Sequence, residues 1–476
     1  MDVAQSATSK ISISTVPAAG SLKLDIIRSC SYSQVHTFVV ICVLVSSSWS
    51  NPYPMATSTL SPQPVPTPTA ITYIPSKSSP SILEEVRAAQ EHLRGRLAGA
   101  ITKPPPNVPV QALPTVPLID LGPSLDGNLE SRKAVAAKIR EACLTTGFFQ
   151  ISNHGITDDA MTGILTQAKR FFHDLTPEQK DALHIKHSPL FRGYEPGDYT
   201  YVNPDDSRTS DKEKADTAAQ SETKEGFNWG YEASLDPTGG DGKYVELDGT
   251  PPQPGHTNVW PAEKDLPGFH AGVAAYYGQV LGLSRRLFQL FALSLNLRED
   301  YFDALTTHPG GIGRLLYYPP QPASEKPRTD EEAEEEGKLG LGAHTDYECF
   351  TLLLSSSNPG LQILFPPSPL TNNAPIWRPC PVRPGTLTVN VADFLMRWTN
   401  GLYKSTIHRV MSKPGAGERY SVPFFFSINY DSEVRPLPEG VVGESKYQPM
   451  KVGEYVLERL RATKTLGEGV DDVGAD

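Results

Sequence analysis

The second half of the chain contains a series of short β-type segments separated by proline, glycine and asparagine turns. In chain order they read "IGRLLYYPP", "FTLLL", "LQILFP", "GTLTVNV", "STIHRVM" and "RYSVPFFFSI". Short apolar, β-branched and aromatic runs bounded by turn residues are typical of strands. Because several such strands at close spacing fold into packed sheets or a closed barrel, the pattern predicts an antiparallel sandwich or barrel.

The region before these strands mixes helices with a few strands. Apolar residues at helical spacing predict helices within Ser81–Lys103, in a segment ending at Gly147, and from Phe269 to about Leu297. "VPLIDL" predicts a short buried strand, and "FFQISNHG" predicts a strand that runs into a turn. Residues 200–262 are polar, rich in Gly and Pro, and predicted to be irregular. The predicted fold class is α+β to mainly β.

These patterns divide the chain into four regions. Residues 1–80 are rich in Ser, Thr and Pro and are predicted to form a disordered tail. Residues 81–308 form an N-terminal α+β region, residues 309–430 the β-rich core, and residues 431–476 a C-terminal helix and tail. Within the core, the acidic insert 324–338 is predicted to be a mobile surface loop.

The N-terminal tail contains one apolar run, "FVVICVLV". It is much shorter than the roughly 20 residues that span a bilayer, so we expect no stable membrane association. Two interpretations of the tail stay open: secretory or organellar targeting, and an extension ahead of a true start at Met55. The five cysteines include no CxxC pair, which favours a reducing compartment, and the predicted location is the cytoplasm. A formal net charge of -11 argues against a nucleic-acid partner.

The stretch "GAHTDYECF" contains the first half of a candidate metal site. Side chains alternate along a strand, so His344 and Asp346 are predicted to face the same side. If the strand of "STIHRVM" lies beside the first, His408 completes a set of two histidines and one carboxylate. Such a set is usual for non-haem Fe(II) in enzymes that use oxygen. The alternative is a chance tripeptide whose histidine makes ordinary polar contacts.

A candidate anion clamp follows in "ERYSVPFFF". Arg419 and Ser421 are two residues apart on a predicted strand and therefore share a face. A guanidinium binds a carboxylate through two parallel hydrogen bonds, and the apolar neighbours predict burial, where an arginine needs an anion. The pair is suited to the far carboxylate of a 2-oxo acid whose other end chelates the metal. The alternative is a surface salt bridge.

Taken together, these motifs resemble the isopenicillin N synthase-like family of 2-oxoglutarate/Fe(II)-dependent dioxygenases. The matching pieces in the core are "RLLYYPP", "GAHTDYECFTLLL", "GLQIL", "PGTLTVNVADFLMRWTNGLYKSTIHRV" and "RYSVPFFF". "VPLIDL", "TTGFFQISNHGI", "FRGYEPG" and "KEGFNWGYE" resemble the N-terminal region of that family. The resemblance covers roughly residues 112–430, without the tail and the acidic insert.

The resemblance implies a double-stranded β-helix (jelly roll) core flanked by helices. It implies that His344, Asp346 and His408 bind iron and that Arg419 and Ser421 bind the co-substrate. Tyr318 lies where the family often has a tyrosine near the 2-oxoglutarate carboxylate. Leu316 stands where many plant members have an asparagine, so one hydrogen bond to the co-substrate is in question.

The implied activity is oxidation of a small organic molecule by hydroxylation, desaturation or cyclisation, with release of succinate and CO2. Fe(II) is the implied cofactor, 2-oxoglutarate and O2 are co-substrates, and ascorbate is an optional reductant. We expect a monomer in specialised metabolism. The alternatives are an Fe(II) oxidase of the same fold that does not use 2-oxoglutarate, an inactive binding protein, and a zinc hydrolase with the same ligands.

Two further acidic residues near the motif are of interest. Glu348 follows "HTDY" where the family frequently has a glycine. It is a candidate substrate-pocket residue that would favour a basic or hydroxyl-bearing group, and the alternative is a carboxylate at the surface or behind the metal ligands. Asp393 of "NVADF" is predicted to stabilise the strand-to-helix turn. The identity of the substrate is not encoded in any of these residues.

Overall fold

A large mixed sheet and a small antiparallel sheet form the framework of the protein. The computed structural model describes residues 82–197, 199, 222–254, 257–323 and 337–463. The predicted disordered tail and nearly all of the acidic insert lie outside the described residues.

The described strands are β1 (Leu118–Asp120), β2 (Phe148–Ser152), β3 (Gly193–Glu195), β4 (Glu225–Trp229), β5 (Gly311–Tyr318), β6 (Lys338–His344), β7 (Phe350–Ser355), β8 (Leu361–Phe365), β9 (Ile376–Pro379), β10 (Leu387–Val391), β11 (His408–Ser412), β12 (Arg419–Phe426), β13 (Glu433–Val434) and β14 (Met450–Lys451). The described α-helices are α1 (Ile82–Leu97), α2 (Leu129–Thr145), α3 (Asp158–Asp174), α4 (Pro177–Ala182), α5 (Phe269–Ser294), α6 (Asp393–Trp398), α7 (Glu439–Val442) and α8 (Val452–Ala462).

In the described part of the chain, the larger sheet has eight strands in the order β1-β2-β10-β7-β12-β5-β4-β3. The smaller sheet has four strands in the order β6-β11-β8-β9. Only β1 and β2 pair in parallel, and all other neighbours in the two sheets are antiparallel. This arrangement confirms the predicted jelly-roll core with flanking helices. Strands of the predicted N-terminal region, β1 to β4, belong to the same sheet as the core strands.

The alternation of side chains along β12 separates the hydrophobic core from an internal cavity. Tyr420, Val422, Phe424 and Phe426 belong to the main hydrophobic core. Arg419, Ser421, Pro423 and Phe425 line a cavity. Because successive side chains of a strand point to opposite faces, one strand both anchors the core and presents polar groups to the cavity.

The helices cover the core face of the large sheet. Phe288 and Phe291 of α5 pack against Phe350 of β7, with ring centroids 5.5 and 5.2 Å apart. On the other face, Phe148 of β2 clusters with Leu361 and Ile363 of β8, which joins the two sheets. No helix in the described ranges combines the length and apolarity needed to cross a membrane.

Most predicted elements are present, and the main differences concern β1, β4 and β9. The six predicted strands of the core correspond to β5, β7, β8, β10, β11 and β12. The strand in "VPLIDL" forms, but the segment is only partly buried. Val116, Ile119 and Leu121 are buried, whereas Leu118 is 48% exposed at the edge of the sheet. The prediction that residues 200–262 are irregular missed β4, whose regular pairing with β5 is a long-range contact. β9 was also missed.

The predicted helix end at Gly147 is a tight structural junction. Gly147 has φ +67° and follows α2, and its amide donates to Ala142 O at 2.9 Å, as in a left-handed helix cap. A Cβ at this position would lie 2.0 Å from the carbonyl oxygen of Lys404. Thr406 Oγ1 donates to Thr146 O at 2.7 Å, so this junction fixes the segment that leads into β11.

Gly147→Ala is expected to lower the free energy of unfolding by at least ~3 kcal/mol, because the left-handed backbone strain adds to a clash with backbone. Gly155→Ala is a matched control, since Gly155 has φ +86° but no atom within 4 Å of the added Cβ. Gly155→Ala should lower the free energy of unfolding only by the left-handed backbone strain, about 1–2 kcal/mol. Urea unfolding measures both variants, and equal losses would contradict the close packing at Gly147.

Candidate active site

The two predicted histidine ligands meet as partners across a pair of strands. His344 is the last residue of β6 and His408 is the first residue of β11, and the two are directly opposite in the antiparallel register. Their ring centroids are 4.3 Å apart. Asp346 lies just beyond β6, so the loop and not strand alternation places its carboxylate beside His344.

The three side chains converge on one point. One ligand atom from each of His344, Asp346 and His408 lies within 4.8 Å of the others. Asp346 Oδ1 is 3.5 Å from His344 Nε2 and 3.7 Å from His408 Nε2. Two imidazole nitrogens and one carboxylate oxygen at this spacing are a suitable donor set for Fe(II) with open coordination positions.

Hydrogen bonds fix the orientation of both imidazole rings. His344 Nδ1 is 2.7 Å from Gly342 O, and His408 Nδ1 is 3.1 Å from Thr406 O. A backbone carbonyl can only accept, so each Nδ1 carries the proton and donates. Each Nε2 therefore keeps its lone pair for a metal, in the arrangement that is usual for metal-binding histidines.

Two donors hold the second oxygen of the aspartate. Asp346 Oδ2 accepts hydrogen bonds from Thr351 Oγ1 at 2.5 Å and from Asn390 Nδ2 at 2.7 Å. Oδ1 remains directed at the histidines. Asp346 is thus oriented to bind a metal through one oxygen.

The electrostatic environment favours the protonation states that a metal site needs. Burial opposes ionisation of Asp346, but His408, His344 and the Thr351 hydroxyl outweigh it and hold the pKa of this carboxyl below its usual range. Burial, assisted by the neighbouring His344, lowers the pKa of His408 to about 4. At neutral pH the aspartate is therefore charged and His408 is neutral.

The predicted clamp residues lie in the same cavity. Arg419 is 5% exposed, and its guanidinium donates to Ser421 Oγ at 3.4 Å and to Ser355 Oγ at 3.2 Å. The guanidinium lies 4.8 Å from the ring centroid of Tyr318, its partner on β5. Among the described residues no carboxylate forms an ion pair with Arg419, and its buried Nε has no hydrogen-bond partner. A buried arginine in this state is suited to an anionic ligand.

The position of Leu316 agrees with its apolar character. Leu316 packs with Tyr318 and Val410 in a small cluster beside the clamp. It lines the cavity but offers no hydrogen bond there. No polar group at position 316 therefore replaces the asparagine that many plant members of the resembling family have there.

Glu348 is buried in the wall of the cavity. It is 3% exposed, which excludes the surface alternative. Its Oε1 accepts from Tyr430 OH at 3.3 Å, whereas Oε2 is buried without a hydrogen-bond partner. Burial raises the pKa of Glu348 well above its ordinary value, opposite to the shift at Asp346. Asp393, by contrast, is fully engaged at the start of α6 by Ser405, Tyr455 and Arg459, as its predicted structural role requires.

Three residues of the site were missed by the sequence analysis. Thr351 and Asn390 hold Asp346, and Ser355 contacts Arg419. Asn390 could have been noticed in the sequence, because it is a polar residue within the predicted strand β10. All five residues of this strand are buried. Buried polar side chains of this kind almost always have a specific hydrogen-bond partner.

The fold and the site together define a class of protein: a jelly-roll protein whose cavity contains two histidines and one carboxylate in a set suited to Fe(II), and a buried arginine suited to a carboxylate ligand. Comparison with known families agrees with this class. Residues 310–428 match the 2OG-Fe(II) oxygenase superfamily. Residues 116–263 match the family described as non-haem dioxygenase in morphine synthesis N-terminal.

Similar proteins cover most of the chain. The 2-oxoglutarate-Fe(II) type oxidoreductase ppzC of Metarhizium majus is 32% identical over 79% of this chain and 96% of the relative. The 2-oxoglutarate-Fe(II) type oxidoreductase hxnY of Emericella nidulans is 35% identical over 71% of this chain and 88% of the relative. Among solved structures, a full-length Neurospora crassa protein in complex with alpha-KG and thymine is 29% identical, with a TM-score of 0.59, over 73% of this chain and 97% of that chain.

The chain therefore belongs to the 2OG-Fe(II) oxygenase superfamily. It is a 2-oxoglutarate-dependent non-haem Fe(II) oxidoreductase. These findings confirm the predicted fold, enzyme class and use of Fe(II), 2-oxoglutarate and O2.

Proposed function

We propose that His344, Asp346 and His408 bind the catalytic Fe(II), and that Arg419 with Ser421 and Tyr318 binds 2-oxoglutarate in the same cavity. The observation that carries this proposal is the guanidinium of Arg419, which forms no ion pair with a described carboxylate and is buried in the cavity where the three ligand atoms converge. When bound, iron and 2-oxoglutarate activate O2 to oxidise a C–H bond of the substrate, with succinate and CO2 as co-products.

The residues of this chain position the reactants and exclude water. Thr351 and Asn390 keep the Asp346 carboxylate in place, and two backbone carbonyls fix the histidine rings. Apolar side chains of Phe191, Ile312 and Phe425, together with Val456 of α8, provide walls of the cavity. A largely apolar cavity with a few directed polar groups is typical of small-molecule sites.

The substrate is a small organic molecule that enters this cavity. The cavity has a volume of about 130 Å³. The similar Neurospora crassa structure is a complex with alpha-KG and thymine, which supports a small ring compound as the type of substrate. The outcome is hydroxylation, desaturation or cyclisation of that molecule.

We further propose that the enzyme acts as a monomer in the cytoplasm. Cys143, Cys349 and Cys380 are buried and free, which suits a reducing compartment. The formal net charge of -11 supports a small-molecule partner over nucleic acid.

The proposed function is tested by measuring succinate release from purified protein with Fe(II) and 2-oxoglutarate across candidate small molecules. Substrate-dependent succinate release is the expected result. Product formation without succinate would favour the Fe(II) oxidase alternative. Activity that requires zinc and persists without O2 would favour the hydrolase.

Thr351→Val is expected to weaken Fe(II) binding by about 10- to 100-fold, because it removes one of the two donors that orient Asp346. Thr388→Val is a matched control on β10, where Thr388 contacts Gln150 and Cys380 and not the aspartate. Anaerobic titration with Fe(II) measures both. Equal affinities for the two variants would show that Thr351 does not position the ligand.

A further inference from the structure

The cavity contains two buried hydrogen-bond acceptors that no described protein group satisfies. One is Oε2 of Glu348, and the other is Oδ1 of Asn228 on β4. Asn228 Nδ2 donates to Phe191 O at 3.4 Å, so its amide oxygen is the free atom. Both side chains are more than nine-tenths buried. Leaving a buried acceptor unpaired costs free energy, which a ligand that donates a hydrogen bond recovers.

The positive charges around the cavity are already paired. Arg192 forms an ion pair with Glu246 at 2.5 Å, and Arg314 forms one with Glu195 at 2.8 Å. Arg419 is assigned above to 2-oxoglutarate. A substrate carboxylate would therefore find no free cation among the described cavity residues, and it would face the charged carboxylate of Asp346.

Glu348 is held in a fixed position next to the metal site. It follows Asp346 by two residues, and the Tyr430 hydroxyl donates to its Oε1. Its backbone carbonyl accepts from Phe394 N at 2.9 Å, which ties the loop to α6. The unpaired Oε2 thus belongs to a cavity-lining side chain that is hydrogen-bonded both at its carboxyl group and at its backbone.

We propose that the substrate is a nitrogen compound, an amine or a nitrogen heterocycle, whose N–H group donates to Glu348, and that it is not a carboxylic acid. The inference rests on the proposed function, since it takes the cavity beside the iron as the substrate site. Asn228 provides a second acceptor for a further donor of the same molecule. Glu348 acts here by binding and orienting the substrate.

The first test uses matched compounds with the full-length protein, Fe(II) and 2-oxoglutarate. The probes are indole with N-methylindole and indole-3-carboxylate, and thymine with its di-N-methyl derivative and uracil-5-carboxylate. We expect indole or thymine, the parent compounds that carry the N–H group, to raise succinate release above the substrate-free rate. The N-methylated and carboxylate derivatives of the same parent should not. The parent should lose about 10- to 100-fold in kcat/KM in Glu348→Met. Equal or greater stimulation by a methylated or acidic counterpart would overturn the inference.

A second test needs no substrate. Glu348→Met combined with Tyr430→Phe replaces both partners of a buried hydrogen bond by apolar groups and removes the unpaired acceptor. Its melting temperature should be equal to or above that of the unmodified protein, because a group kept for ligand binding does not stabilise the free enzyme. Glu246→Met is the matched control and should melt lower, since it leaves Arg192 buried and unpaired.

The two tests separate the possible failures. A drop in melting temperature of the double variant as large as that of Glu246→Met would make Glu348 structural and overturn the inference. If no probe stimulates succinate release, the comparison of melting temperatures decides whether Glu348 is structural. If the protein with Fe(II) consumes no 2-oxoglutarate under any condition, the proposed function itself fails, whatever the behaviour of Glu348.

Discussion

Asp346→Asn is expected to reduce Fe(II) affinity on the order of 1,000-fold and to abolish substrate-dependent succinate release. Removing a residue that only hydrogen-bonds a ligand costs 10- to 100-fold, so loss of the charged ligand itself must cost more. The amide keeps the shape of the carboxylate but removes its negative charge from between two histidine nitrogens. Anaerobic iron titration and a succinate assay measure the two effects.

Asp393→Asn is the matched control for this variant. Asp393 is also a buried aspartate, but its oxygens accept from Ser405 Oγ at 2.7 Å and from Arg459 Nη1 at 3.0 Å. The control should lower the melting temperature while iron still binds. Iron binding by Asp346→Asn at the affinity of the unmodified protein would refute the proposed ligand set.

Arg419→Ala is expected to raise the KM for 2-oxoglutarate by ~100-fold or more while iron remains bound. The variant removes a charge-assisted, bidentate contact from a buried site. Because no described carboxylate forms an ion pair with Arg419, the fold should tolerate the change better than loss of a paired arginine. Arg419→Lys should have a KM for 2-oxoglutarate between those of the unmodified protein and Arg419→Ala, since lysine keeps the charge but loses the planar fork.

Arg409→Ala provides the control for the clamp variants. Arg409 is on β11, where its guanidinium lies 4.1 Å from the ring centroid of Trp377 and its Nε donates to Gln362. It does not line the cavity, so its replacement should leave the KM for 2-oxoglutarate unchanged. Steady-state kinetics with varied 2-oxoglutarate separates the variants. An unchanged KM in Arg419→Ala would exclude Arg419 as the anchor.

The sequence predicted the strands of the core and the residues that converge in the cavity. Strand signals were strong because each of these segments has a continuous apolar face, as in β8 and β10, where all five residues are buried. The pairing of His344 with His408 depended on strand order, which a tripeptide pattern does not contain. The family motifs supplied that information through their order along the chain.

Other features depend on contacts between residues far apart in the chain. β4 was missed because its regularity comes from pairing with β5, some ninety residues later. Thr351 and Ser355 looked like ordinary strand residues, and only the packed structure brings their hydroxyls to Asp346 and Arg419. The hydrogen bond between Glu348 and Tyr430 likewise joins residues that are 82 positions apart in the chain.

The cavity is built from two sets of elements with separate tasks. The converging ligand atoms come from β6, β11 and the loop after β6, and the unpaired arginine comes from β12. Much of the remaining wall comes from the segment at β3, from β4 and from α8. Substitutions in the wall elements can therefore change which molecule is accepted without disturbing the reactive centre. Such a division lets descendants of one ancestral gene acquire new substrates by few mutations while the oxidative chemistry is inherited intact.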